Sequence, residues 1–423
     1  MKKKIISAFL CMTLVSGMLV GCGGKSDNSE KDKKSAEKEG GEITLMMPDW
    51  GIPSDDMLDS FTEETGIKVN VNEVSWDDIR DKVSIAAAGK KAAADVMEVD
   101  WSWVGEMNSA GWLEEIKVDD KTKEDMPSLS TFMIDGKVLA MPYANDYRIA
   151  YYNKEHFKKA GIEKAPETWD EVYDALKKLK ESGVSKYPFT IPMNADESAT
   201  TSLMWLAFAN DGKVFNDDGT LNKDAVMNAL NFEKKVVDEE LVDPAVKTST
   251  GMDCYRKLTS GEASFMVGPT KFVGISNNEE ECSVVGQIEA ILLPGKTGTS
   301  EKTMPLPEAV GINKYSENKE EAQKFVEWYS SPETQKELYK ANSSIPTRNS
   351  VLEELINDGT IANPGAMLDE AKLIQTPFPK GVPDYYSEMS NTIFNNVNKM
   401  VLGQQTPEQA FDAMDKKVKE LAK

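Results

Sequence analysis

Between Glu42 and Val99 the chain alternates short apolar runs with amphipathic stretches, and no pattern in the sequence restricts the fold more. Ile43 to Met47 has strand length. Ser54 is placed to cap a helix that carries Met57, Leu58 and Phe61 on one face and stops at Gly66. Ile67, Val69 and Val71 then alternate with polar residues, as in a half-buried strand. Ser75 opens a second helix with Ile79 and Val83 four apart, and Asp95 to Val99 reads as a third strand. Strand-helix-strand-helix-strand in so short a stretch predicts a parallel α/β sheet. Further on, Asp135-Gly136 marks a hairpin turn. Thr168 to Glu171 and Thr406 to Gln409 form capping boxes at helix starts. Helices are also expected over 224–242, 317–329 and 332–340, with strands over 187–192 and 263–267.

The N-terminus carries a different signal. Lys2, Lys3 and Lys4 precede an uncharged apolar run from Ile5 to Val20, too short for a typical membrane span. It ends in Leu19-Val20-Gly21-Cys22, which resembles the bacterial lipobox. That resemblance implies a lipoprotein signal peptide over 1–21, cleavage before Cys22, and acylation of its sulfur, palmitate-type chains anchoring the protein to the membrane. Residues 22–41 would then be the lipidated cysteine and a flexible tether, since the segment is rich in Lys and acids and lacks large apolar residues. The body is expected outside the cytoplasm, on the outer face of a Gram-positive type of membrane. Cys254 and Cys282 remain, either as a disulfide or as two separate buried thiols.

Composition removes several function classes. The net charge of −22 opposes binding to phosphate backbones, so no nucleic-acid partner is expected. One histidine, His156, leaves little material for a histidine metal site or a Ser-His-Asp triad. The turn Asn216 to Gly219 lacks the ligand spacing of a calcium loop. No phosphate-binding G-x-x-x-x-G-K-[ST] motif occurs, and no cofactor is expected.

Three stretches carry a family resemblance. Residues 139–172 contain Pro142, Tyr152-Asn153-Lys154 and Pro166 to Asp170, and residues 310–338 and 402–414 extend the match. The chain resembles the bacterial extracellular solute-binding proteins of ABC-type importers, in the sugar-binding branch related to maltose-binding protein. The resemblance implies a two-lobed periplasmic-binding-protein-like α/β fold with the ligand cleft between the lobes. One lobe would comprise 42–144 plus 311–346, the other 147–305 plus 349–423. It also implies a monomeric, non-enzymatic receptor that closes on a carbohydrate, an oligosaccharide above all. The receptor would deliver its ligand to importer permease subunits powered by a separate ATPase chain.

A sugar presents hydroxyls at its rim and apolar faces, so aromatic rings and carboxylates are the expected contacts. Asp49 and Trp50 follow the first strand, and Asp100, Trp101 and Trp103 follow the third, both at strand ends where α/β crevices bind ligands. Asp196 and Glu197 follow the 187–192 strand. By resemblance, Asp146 falls where relatives place a sugar-contacting glutamate, and Trp205 falls on a family tryptophan position. The family's tryptophan after Gly-Pro is missing, which leaves Phe272 as the candidate stacking ring and argues for a ligand other than maltose. Tyr385 is a candidate from the last segment. Two alternatives stay open: a glycoside hydrolase with paired carboxylates, and the same fold binding a polyamine or another small solute.

Overall fold

The computed structural model describes residues 40–423, apart from the side chain of Asp77; the signal segment, Cys22 and most of the tether lie outside them. The chain begins with β1 (Glu42–Met47), β2 (Lys68–Glu73) and β3 (Val96–Asp100), separated by helices Asp55–Thr65 and Trp76–Ala88. Both β2 and β3 pair with β1 in parallel, as the alternation predicts. Every residue of β3 is buried, because it lies inside the sheet with both faces covered. The Ser54 hydroxyl caps the first helix, and Gly66 at φ 77° ends it. Ser75 stands at the second cap without making a cap hydrogen bond.

Strands β4 (Met133–Ile134) and β5 (Lys137–Val138) form the hairpin, with Asp135 and Gly136 both at positive φ. Next come β6 (Met141–Ala144), β7 (Arg148–Asn153), β8 (Phe189–Thr190), β9 (Phe265–Pro269), β10 (Ile288–Ile291) and β11 (Glu308–Ile312). The 187–192 strand shrinks to two residues because Pro188 and Pro192, lacking N–H donors, bracket it. The helix expected to reach residue 242 ends at Asp238, where Glu240 turns left-handed at φ 51°.

Two sheets form the centres of two lobes. One has the order β2-β1-β3-β11-β6 and the other β10-β7-β9-β8. Strand β11 arrives from far along the chain and inserts antiparallel between β3 and β6, pairing Glu308 with Asp100 and Ala144. Three connecting stretches join the lobes and are tied to one another. The Leu306 amide donates to the Asp146 carbonyl at 2.6 Å, and the Asn145 amide to the Ile345 carbonyl at 2.8 Å. The Thr347 hydroxyl donates to the Pro142 carbonyl at 3.0 Å. Only these short segments, tied to one another by hydrogen bonds, link the two sheets.

Candidate functional site

The pairing of β3, β11 and β6 brings Asp100, Glu308 and Ala144 to one edge of the first sheet. Asp49 and Trp50 arrive beside them in the single turn Asp49–Gly51 after β1. Trp50 is 46% exposed, yet it is held firmly. Its indole N–H donates to Glu308 Oε2 at 2.5 Å, and Asn342 Nδ2 donates to its carbonyl at 2.9 Å. The next carbonyl, of Gly51, accepts from the Tyr329 hydroxyl. An exposed ring fixed by its polar edge presents its face without further ordering cost.

Trp50, Asn145, Asp146, Thr270, Lys271 and Glu308 line a cavity of about 530 Å³. Met252, Lys271, Asn342 and Ser343 also line an adjoining groove of about 710 Å³, so the two spaces share a wall. Asp146 faces this cavity but is already engaged. Its Oδ2 accepts from Arg148 Nη1 at 2.8 Å, and its Oδ1 accepts from the Thr270 amide at 3.3 Å. The Arg148 side chain is only 7% exposed and the Asp146 side chain 33%. Removing the carboxylate strands a buried guanidinium, so Asp146→Ala is expected to cost about 2 kcal/mol of stability, less than a fully buried pair because of that exposure. Urea denaturation measures it; weakened ligand binding at parental stability would instead assign Asp146 wholly to the ligand.

Across the cleft edge of the second sheet, Asp196 caps helix Glu197–Asp211 by accepting from the Ser198 amide. Glu197 accepts hydrogen bonds from the hydroxyls of Tyr386 and Ser390. Although the residue keeps contact with solvent, burial of its carboxyl pushes its pKa up to about 7, and the charges of Asp100 and Asp196 add to this. Asp100 itself is buried, and desolvation raises its pKa against hydrogen bonds from the Ser102 amide and hydroxyl.

The remaining predicted aromatics are not open surfaces. Trp101 is 6% exposed and packs edge-on against Tyr386 at 4.9 Å, with Phe378 alongside at 6.4 Å. Trp103 packs on Trp76 at 4.5 Å. Trp205 is buried against Trp169, and Phe272, wholly enclosed, lies against Tyr255. In this conformation neither Trp205 nor Phe272 offers a face to a ligand, because core residues already cover both sides. Tyr385 is half-buried and lines a separate cavity of about 370 Å³ with Phe215 and Phe378. Cys254 and Cys282 are free buried thiols, which decides between the two readings of that pair.

The reading by strand ends missed Glu308, Asn145, Lys271, Glu98 and Tyr143. Glu98 had a signal: it is the one acid inside the otherwise apolar run Val96 to Val99. Glu308 follows Pro305-Leu306-Pro307, a plain connecting segment with nothing to mark it. Among the described residues no cluster of His, Cys, Asp and Glu could hold a metal ion, and no helix is long and apolar enough to cross a membrane.

Comparison with known proteins bears on this geometry. Residues 48–336 match the family described as bacterial extracellular solute-binding protein. The maltooligosaccharide ABC transporter solute-binding lipoprotein of Streptococcus pneumoniae is 26% identical over 353 residues, covering 79% of this chain and 78% of that protein. Among solved structures, the sugar-binding protein MalE from Xanthomonas citri superposes with a TM-score of 0.77 at 19% identity, covering 90% of this chain and 97% of that one. A solute-binding protein from Agrobacterium radiobacter in complex with ribitol gives a TM-score of 0.74 at 18% identity, covering 90% and 98%. Both are two-lobed binding proteins, and the likeness is one of fold.

Proposed function

The chain belongs to the bacterial extracellular solute-binding proteins, and from that premise we propose that it is a lipid-anchored receptor which captures a carbohydrate, preferentially an oligosaccharide, and delivers it to an ABC importer. The family binds and hands on solutes, so the chain is not an enzyme and a hydrolase role falls away. The observation that carries the sugar reading is Trp50, a half-exposed ring held by Glu308 and Asn342 beside a cavity with acceptor carboxylates. The shared wall with the adjoining groove favours a ligand longer than one ring. The Streptococcus pneumoniae relative, named for maltooligosaccharides, supports the same class. A polyol is the second reading, because the Agrobacterium radiobacter protein was solved with ribitol.

In this proposal the lobes are 42–144 with 311–346 and 147–305 with 349–423, hinged at the three connections, and the receptor works as a monomer. Asp49, Trp50, Asp100, Asp146, Asp196, Glu197 and Tyr385 would meet the ligand as the cleft opens and closes. Trp101, Trp103, Trp205 and Phe272 would support them from behind.

Titration of intrinsic fluorescence with mono-, oligosaccharides and polyols tests the reading. A receptor that must release its ligand is expected to bind at micromolar strength, about −8 kcal/mol. Stacking on Trp50 that buries roughly 60 Å² contributes about 1.5 kcal/mol at about 25 cal/mol per Å². Trp50→Ala should therefore weaken binding about tenfold or more. A flat titration against the whole panel sinks the proposal, and a preference for polyols over oligosaccharides selects the second reading. The anchor is tested separately: metabolic labelling with palmitate should mark the protein, and Cys22→Ala should abolish both label and membrane retention.

A further inference from the structure

Beneath Trp50 lies a hydrogen-bond chain whose proton count is set by geometry. Tyr143, on β6, is buried, and its hydroxyl lies 3.0 Å from Glu98 Oε2 on β3 and 2.8 Å from Glu308 Oε2 on β11. A phenolic hydroxyl owns one hydrogen. It can donate to one carboxylate only; the other contact then sets lone pair against lone pair unless that carboxyl brings a hydrogen of its own. One of the two acids must therefore be protonated.

The surroundings decide which. Glu98 is 0% exposed, and its Oε1 has no hydrogen-bond partner among the described residues. The groups facing it are the acids Glu308 and Asp100 and the phenols Tyr143 and Tyr329, with the Ala309 amide as one neutral donor. Glu308 is half-buried at the cavity wall, faced by Asp100, Asp146, Glu98, Tyr143 and Tyr329, and it accepts from the Trp50 indole. Asp49 lies beside Trp50, and Lys271, exposed, lines the same cavity. Arg148 is committed to Asp146. No lysine or arginine forms an ion pair with Glu98 or Glu308 among the described residues. Burial raises both carboxyls, that of Glu98 further than that of Glu308, so the fully enclosed acid keeps the hydrogen, desolvation penalising its charged form most.

We propose that Glu98 is held as a carboxylic acid whose proton, acting through Tyr143, positions Glu308 as the charged acceptor that reads a ligand hydroxyl. The chain then runs in one direction: Glu98 donates to Tyr143, Tyr143 donates to Glu308 Oε2, and Trp50 donates to the same oxygen. Glu308 Oε1, which takes no hydrogen bond from the described residues, is left for the ligand. Glu98 is a positioning residue, and Glu308 and Trp50 are the pair it serves. Burial and the charge of Glu308 both push the Glu98 carboxyl well above the usual range. Its proton is present below that raised value and lost as pH rises through it. Ionised Glu98 would compete with Glu308 for the single Tyr143 hydrogen, loosening both Glu308 and the Trp50 ring.

The proposal rests on the carbohydrate reading above, and its test separates the two. Binding of maltotriose and of ribitol, as probes, is measured from mildly acid to alkaline pH. The parent should lose about tenfold in affinity or more on the alkaline limb, the worth of one hydrogen bond to a charged group. Glu98→Gln supplies a permanent N–H donor to Tyr143 and should flatten that limb. Tyr143→Phe breaks the chain in the middle and should bind at neutral pH as weakly as the parent does at alkaline pH. Identical pH profiles for parent and Glu98→Gln, or parental binding by Tyr143→Phe, overturn the proposal. An infrared difference spectrum between parent and Glu98→Gln at neutral pH needs no ligand. It should show the loss of a protonated-carboxyl band, and loss of a carboxylate band instead overturns the assignment. If neither probe binds, the functional reading fails while the infrared result still decides the proton.

Discussion

Trp101→Ala is expected to destabilise the folded body by about 3–5 kcal/mol, the range for deleting a large buried aromatic. The ring sits directly after β3 with 6% exposure, where its place at a strand end alone put it at a ligand cleft. Its neighbours explain the size of the effect. Tyr386 meets it edge-on at 4.9 Å and Phe378 lies alongside at 6.4 Å, and both come from the last segment of the chain. Removing the indole therefore opens a void between parts of the molecule that no local rearrangement can close. A urea unfolding curve with a lower midpoint and an unchanged slope is the expected reading. Parental stability with lost ligand affinity would return Trp101 to the ligand site.

Glu233→Met is expected to stabilise the protein by about 3 kcal/mol at pH 7, with a gain that depends on pH. Glu233 lies on helix Lys223–Asp238 at 0% exposure, and neither carboxyl oxygen has a hydrogen-bond partner among the described residues. Burial alone pushes its pKa from 4.5 up to about 8. Between those two values the folded protein holds a proton that the unfolded chain releases. Stability is therefore full below the unfolded value and falls as pH rises towards about 8. Methionine has similar volume and does not titrate, so the pH-dependent part of the advantage should vanish near pH 4 and grow up to about pH 8. Denaturation series for parent and variant across this range provide the check. Parallel pH curves would show that Glu233 reaches solvent or a partner in the folded state.

What local chemistry specifies was readable from the chain. Gly66 ends a helix because it alone among its neighbours adopts φ 77° without strain. Thr168 and Thr406 begin helices because a hydroxyl and an acceptor three residues on satisfy exposed amides, and both capping boxes are present. Asp135-Gly136 turns a hairpin for a similarly short-range reason. The parallel opening of the first sheet followed from periodicity, since alternating elements have few other ways to bury their apolar faces.

The candidate site was decided at longer range. Strand ends drew attention to Asp49, Trp50 and Asp100, but nothing local tells an open ring from a covered one. Trp50 stays half-exposed because Glu308 and Asn342, each more than 250 residues away in sequence, hold its polar edge and backbone and leave the ring face open. Trp101 is covered because Phe378 and Tyr386 reach it from still farther along the chain. Glu98, Tyr143 and Glu308 meet only because β11 inserts between β3 and β6. Hydrogen bonds between near neighbours are written in a few consecutive residues, so the sequence by itself determined caps, turns and the parallel pairing at the start of the chain. Burial, charge and proton sharing depend on which distant side chains the crossovers deliver, and only the tertiary structure decides those.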